Sequence, residues 1–148
     1  MGLFDGGAEE PHTKLRRYLI TLIVFIALVS GGVAYALRYH AEKKTVAVFL
    51  NTVAAGDLPQ AYRLWKPNAR YSYQDFLSDW GPTGEFGPVK SYHIASANMR
   101  KNASGVVIAV ELSRFAPFPS DQDFEKGRSN KEVRLWVERS DQAISFAP

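Results

Sequence analysis

The groups able to move a proton are few in this chain. Residues 45–148 hold one histidine, His93, beside Tyr92, while Tyr62, Asp75 and Asp79 supply the other types that a Tyr/Asp or His/Asp pair would need. General acid–base chemistry requires such groups within a hydrogen bond of the reacting proton and of each other. Nothing in the spacing forces these five together, and a lone histidine between Tyr92 and Ile94 is ordinarily packed or solvated. The sequence has no cysteine, no G-x-S-x-G elbow, no H-x-x-x-H pair and no glycine-rich phosphate loop. The acidic run Asp121, Asp123 and Glu125 lacks the glycine and spacing of a calcium loop, and reads as solvated. No catalytic residue, cofactor or bound metal is therefore expected.

The elements that would position any site fall into three parts: an N-terminal tail over 1–17, a transmembrane helix over 18–39 and one domain over 40–148. Tyr18 to Leu37 is an uncharged run of twenty residues bounded by Arg17 and Arg38. As a helix rising ~1.5 Å per residue it covers ~30 Å, the hydrocarbon thickness of a bilayer. Most of the net charge of +3 belongs to the flanks of this run, because residues 45–148 carry twelve Lys/Arg against eleven Asp/Glu and so are nearly neutral. A nucleic-acid surface needs clustered basic excess, so the expected partner is the lipid bilayer and not a nucleic acid. Lys14, Arg16 and Arg17 before the run tie with Arg38, Lys43 and Lys44 after it under the positive-inside rule. A short basic tail ahead of an apolar run has the layout of a signal-anchor, which would export the domain. Ala34, Tyr35 and Ala36 resemble a signal-peptidase site, and that rival reading exports the domain too. Within the run, Ala27 with Gly31, Ser30 with Ala34 and Gly32 with Ala36 stand four apart, a spacing that lets two helix backbones approach.

Three helical segments are expected next, each with apolar residues at i, i+3, i+4 and i+7: Val46 to Val53, Leu58 to Trp65, and Tyr73 to Trp80. Gly56 can end the first, and Asp57 with Pro59 and Gln60 can start the second. Ser72 with Asp75 makes a cap for the third. No breaker separates the apolar run from the first of these, so one continuous helix is expected there. After Gly87 and Pro88 the period changes to two. Strands are expected over 89–100, from Val106 to Leu112, from Val133 to Val137 and at Ile144 to Phe146, with a hairpin turn over 101–105. Helices grouped before strands give an α+β class, with three helices packed on a four-stranded antiparallel meander.

Residues 46–65, with Phe49, Leu50, Gly56, Asp57, Ala61 and Tyr62 in an F-L, G-D, A-Y pattern followed by a Ser-capped helix and a meander, resemble the nuclear-transport-factor-2-like α+β cone. The nearer likeness is to small bacterial membrane-anchored members, over roughly residues 44 to 148. The resemblance implies a bacterial inner-membrane location, single-pass, with the C-terminal domain extracytoplasmic. It also implies a cone cavity near the second and third helices and the first strand. Tyr62, Trp65, Tyr73, Trp80, Tyr92 and His93 are the candidates to line it, and the plainer role for these aromatics is to fill it. Relatives of this fold pair through the outer sheet face. Alternation sends Trp136 to that face, with Arg134 and Glu138, and with Val107 and Ala109 from the neighbouring strand. The fold does not choose among functions. The expected role is a non-catalytic interaction or assembly module, an accessory subunit of an envelope membrane complex, with a protein partner or a homodimer formed through the span and the outer sheet face. A carrier or sensor of a small apolar ligand is the alternative, and an isomerase- or hydrolase-like enzyme the third reading.

Overall fold

A computed structural model describes residues 11–148. The apolar run lies in α1 (Pro11–Ala36), and among the described residues this is one helix long and apolar enough to cross a membrane. Its large side chains, including Ile23, Phe25 and Leu28, are exposed. Two hydroxyls in it are satisfied by the helix backbone: the Thr21 hydroxyl donates to the Arg17 carbonyl (2.9 Å) and the Ser30 hydroxyl to the Ile26 carbonyl (2.7 Å). The chain divides after Arg38, and Tyr39–Pro148 forms the second compact unit.

The expected continuous helix is broken. α1 stops at Ala36 and α2 (His40–Ala54) begins after Tyr39, whose backbone is left-handed (φ 60°, ψ 26°). A non-glycine residue in that region costs about 1–2 kcal/mol. Tyr39 packs against the domain core, which offsets this cost. A tertiary contact of this kind leaves no glycine or proline in the sequence to mark the break.

The other boundaries follow local chemistry. α2 ends at a left-handed Gly56 (φ 83°). The Gln60 N–H of α3 (Leu58–Trp65) donates to Asp57 Oδ1 (3.1 Å). α4 (Tyr73–Trp80) starts with a reciprocal box in which the Asp75 N–H donates to Ser72 Oγ (3.1 Å) and the Ser72 N–H donates to Asp75 Oδ2 (2.9 Å). The bonds from the Ser72 hydroxyl and N–H hold the Asp75 carboxyl below its ordinary range.

Four strands form one antiparallel sheet in the order β1 (Ser91–Asn98), β2 (Gly105–Ser113), β3 (Lys131–Glu138) and β4 (Ile144–Phe146). The domain is thus α+β, as expected, with one helix more than expected. α5 (Phe124–Gly127) is a single turn inside the loop between β2 and β3. It buries no residue, so it has no apolar period by which a sequence could announce it. β1 is shorter than its expected span of 89–100 and carries a bulge between Ile94 and Ser96. Tyr92 and Ile94 face the core before the bulge, and Ala97 and Met99 after it. The one-residue slip explains why alternation is weak in this strand.

The helices cover one sheet face. Val46, Phe49, Leu50 and Val53 of α2 are buried with Val106, Ile108 and Val110 of β2 and Val133, Leu135 and Val137 of β3. Phe49 is the hub, with ring centroids 5.2 Å from Trp65, 6.2 Å from Phe76 and 5.0 Å from Trp80.

Two measurements check this account. Phe49→Ala should lose about 3–5 kcal/mol in urea unfolding of the full chain, because the surrounding rings cannot all close over the vacated volume. Asp75 contributes stability above its unfolded pKa, and loses it as pH falls through its lowered folded value. Ser72→Ala should therefore flatten the acid side of the stability profile, from about pH 5 downward. An unchanged acid limb would show that the Ser72–Asp75 box contributes nothing.

Candidate functional site

Of the six cavity candidates, Trp65 and Trp80 are buried in the core, Tyr62 is partly buried against it and Tyr73 lies at its edge. Trp65 and Trp80 are 4 % and 1 % exposed, and their ring centroids lie 5.7 Å apart. Trp80 stacks on Phe146 of β4 (6.1 Å, 3° between planes), and Tyr62 meets Tyr73 edge-on at 5.2 Å. Tyr73 sits at the rim of the cluster, partly open to solvent. These rings pack on one another as a filled core. A small cavity of ≈170 Å³ touches Trp80 together with Val53, Gly56, Leu58, Pro82 and Pro88. The Trp80 Nε1 group is buried and has no hydrogen-bond partner.

The polar ends of four of the acid–base candidates, Tyr62, Asp75, Asp79 and Tyr92, are tied to structural partners. Tyr62 donates to the Tyr71 carbonyl (2.8 Å), and Tyr71 donates to Asp79 Oδ2 (2.6 Å). Asp75 serves the α4 cap. Tyr92 donates to Asn51 Oδ1 (3.0 Å) and lies 3.3 Å from the Ala47 carbonyl, which fastens β1 to α2. Burial, and then the bond and charge of Asp79, push the Tyr71 hydroxyl far above the ordinary tyrosine value. Burial also raises Tyr92, opposed by the bond to Asn51. His93 is exposed on β1, opposite Glu111 and beside the Phe118 ring at 5.8 Å. None of these bonds links His93 to Asp75, Asp79 or Tyr62. Among the described residues no cluster of three His, Asp or Glu side chains could hold a metal ion.

The outer sheet face is built differently. Val107 pairs with Trp136 and Ala109 with Arg134 across β2 and β3, while Asn98 and Ser96 of β1 pair with Val107 and Ala109. Ala95, Ser96, Asn98, Val107, Ala109, Glu132 and Arg134 line a shallow hollow of ≈370 Å³. The indole of Trp136 packs against Gly105, where an added Cβ would stand 2.5 Å from ring atom Cε2. The Trp136 N–H reaches Glu138 Oε2 (3.4 Å), and the same oxygen accepts from Ser104 (2.8 Å). Arg134 pairs with Glu132 at 3.1 Å in an exposed bridge, which sets orientation more than stability. The ring is therefore half-buried between Gly105 and Glu138. On α1, Ala27, Ser30, Gly31, Gly32, Ala34 and Ala36 are exposed, and a Cβ added at Gly31 or Gly32 would meet nothing within 4 Å.

Two features escaped the sequence reading. Glu42 is buried, 5 % exposed, and accepts from Arg139 Nε at 3.2 Å. It precedes Val46, Phe49 and Val53 on the same helical stripe, and an acid on an apolar stripe is the signal that could have found it. The second is a groove of ≈440 Å³ between α2, α3 and the turn after β3, with Val48 and Leu64 on its walls. No signal for it existed, because its walls come from segments far apart in sequence.

The raised Tyr71 pKa carries its own test. A raised value means stability that is fully present below the unfolded tyrosine pKa of about 10 and is lost as pH rises through the folded value. Tyr71→Phe should remove that alkaline loss. It should also cost about 1.5–3 kcal/mol near neutral pH, the range for a hydrogen bond to a charged group. Urea unfolding at neutral and alkaline pH measures both, and an unchanged neutral stability would show the Tyr71–Asp79 bond to be idle.

No protein-family model matches this chain, and no curated protein or solved structure is significantly similar to it.

Proposed function

We propose that the chain is a single-pass, membrane-anchored interaction or assembly module of the nuclear-transport-factor-2-like cone type, serving as an accessory subunit of a bacterial envelope complex. α1 is its anchor in the inner membrane, and the domain works on the extracytoplasmic side. The observation that carries this reading is the outer sheet face. It joins a small-residue hollow to a tryptophan already fixed by Gly105 and Glu138. A rigid aromatic beside a hollow is the composition of an interface hot spot, since little side-chain entropy remains to be lost on binding. The occupied state of Tyr62, Asp75, Asp79 and Tyr92 supports a non-catalytic role. The small-residue face of α1 supports lateral docking of the span against a partner helix or a second copy.

Ala109→Glu tests the face directly. The new carboxylate would stand opposite Arg134 in the sheet, so the fold should tolerate it. Co-purification from mild detergent should then lose its partner by about tenfold or more, with the urea midpoint unchanged. Full partner recovery by this variant would remove the sheet face from the proposal. Protease accessibility in intact cells checks the side of the membrane on which the domain lies.

A further inference from the structure

The groove between α2 and α3 is not explained by the core. Ala41, Lys44, Thr45 and Val48 follow the i, i+3, i+4, i+7 pattern on a face of α2 distinct from the stripe that packs on the sheet. Val48 is 44 % exposed there, facing a hollow that Leu64 shares. A volume of ≈440 Å³ with apolar walls is the size of a pocket for a small amphiphile.

Its polar edge is held by specific bonds. Thr45 donates to Gln142 Oε1 (2.7 Å), and Gln142 has a left-handed backbone (φ 58°). Lys66, also left-handed (φ 52°), donates its ammonium to the Asp141 carbonyl. Two non-glycine residues kept in this costly conformation, each tied across the turn after β3, make a fixed wall rather than an accidental gap.

Charge complementarity selects the occupant. Lys43 and Lys44 stand near the start of α2, and the acid beside them, Glu42, is buried against Arg139. Lys44 is exposed at the groove. An apolar slot with a cationic lip fits an acyl chain that carries an anionic head. Ala41 follows the last residue of α1 by five positions in the sequence.

We infer that this groove takes one acyl chain of an anionic phospholipid from the bilayer that α1 enters, with the Lys44 ammonium meeting the phosphate. This rests on the membrane-anchored reading above. Holding a lipid there would anchor the domain at a second point, beside its covalent one.

The test uses the full chain in phosphatidylcholine nanodiscs doped with phosphatidylglycerol whose acyl chain carries a diazirine. A diazirine-labelled phosphatidylcholine is the control, and adducts are mapped by peptide mass spectrometry. Adducts on α1 are expected from both probes. Adducts on peptides containing residues 41–48 and 64–66 are expected from the phosphatidylglycerol probe, about fivefold above the control. Lys44→Gln should remove that preference, and Val48→Asp should remove the groove adducts while leaving those on α1. Both side chains are exposed, and an unchanged urea midpoint confirms that each variant folds. Labelled α1 with an unlabelled groove, or groove labelling indifferent to both substitutions, overturns the lipid site alone. Absence of labelling on α1 overturns the membrane reading, and the lipid site with it.

Discussion

The domain depends on one constraint: a four-stranded sheet has a face of Val106, Ile108, Val110, Val133, Leu135 and Val137 that water cannot be allowed to reach. Three short helices must cover it. The two of eight residues, α3 and α4, would not hold their shape alone, since isolated helices of that length are marginal in water. Their order comes from docking, and the docking converges on Phe49. Its ring touches Trp65 of α3 and both Phe76 and Trp80 of α4, so one side chain of α2 connects the three helices. Burial of apolar area supplies the drive, and edge-to-face ring geometry makes the arrangement specific.

The polar bonds follow from that packing. Once α4 is seated, Tyr71 reaches Asp79 and Tyr62 reaches the Tyr71 backbone, which closes the aromatic layer with satisfied hydroxyls. Tyr92 fastens β1 to α2 in the same way. Groups that look like acid–base machinery in a sequence become cross-braces, because a buried hydroxyl left without a partner costs more than the bond returns when made. Glu42 belongs to the same class. Its burial beside the sheet is tolerable because Arg139 supplies the compensating charge.

The surfaces left over are the ones on which the proposals rest. The outer sheet face keeps Trp136 in place through Gly105 and Glu138, and the second face of α2 keeps an apolar groove under a lysine lip. These two surfaces and α1 present different chemistry. An aromatic beside a shallow hollow suits a protein, a slot with a cationic rim suits a lipid, and the uncharged run of α1 from Tyr18 onward suits hydrocarbon. The proposal of a tethered assembly module draws on the sheet face and α1, and the groove carries the lipid inference.

Local signals were enough for most of the architecture. Apolar spacing marked α2, α3 and α4. Asp57 and Ser72 marked two helix starts, and alternation marked β2 and β3 with Trp136 on the outer side. These are short-range properties, set by helical and strand periods and by the bonds that a cap residue makes to its own turn. The tertiary structure decided what depends on distant partners. It broke the helix before α2, at a left-handed Tyr39 that packs against the core. It placed a bulge in β1 and added the single turn of α5. It packed Trp65 and Trp80 into a filled interior, paired Glu42 with Arg139 across 97 positions, and made a groove from α2, α3 and Gln142. No residue encodes such features by itself, because each is a relation between segments that meet only when the sheet face is covered.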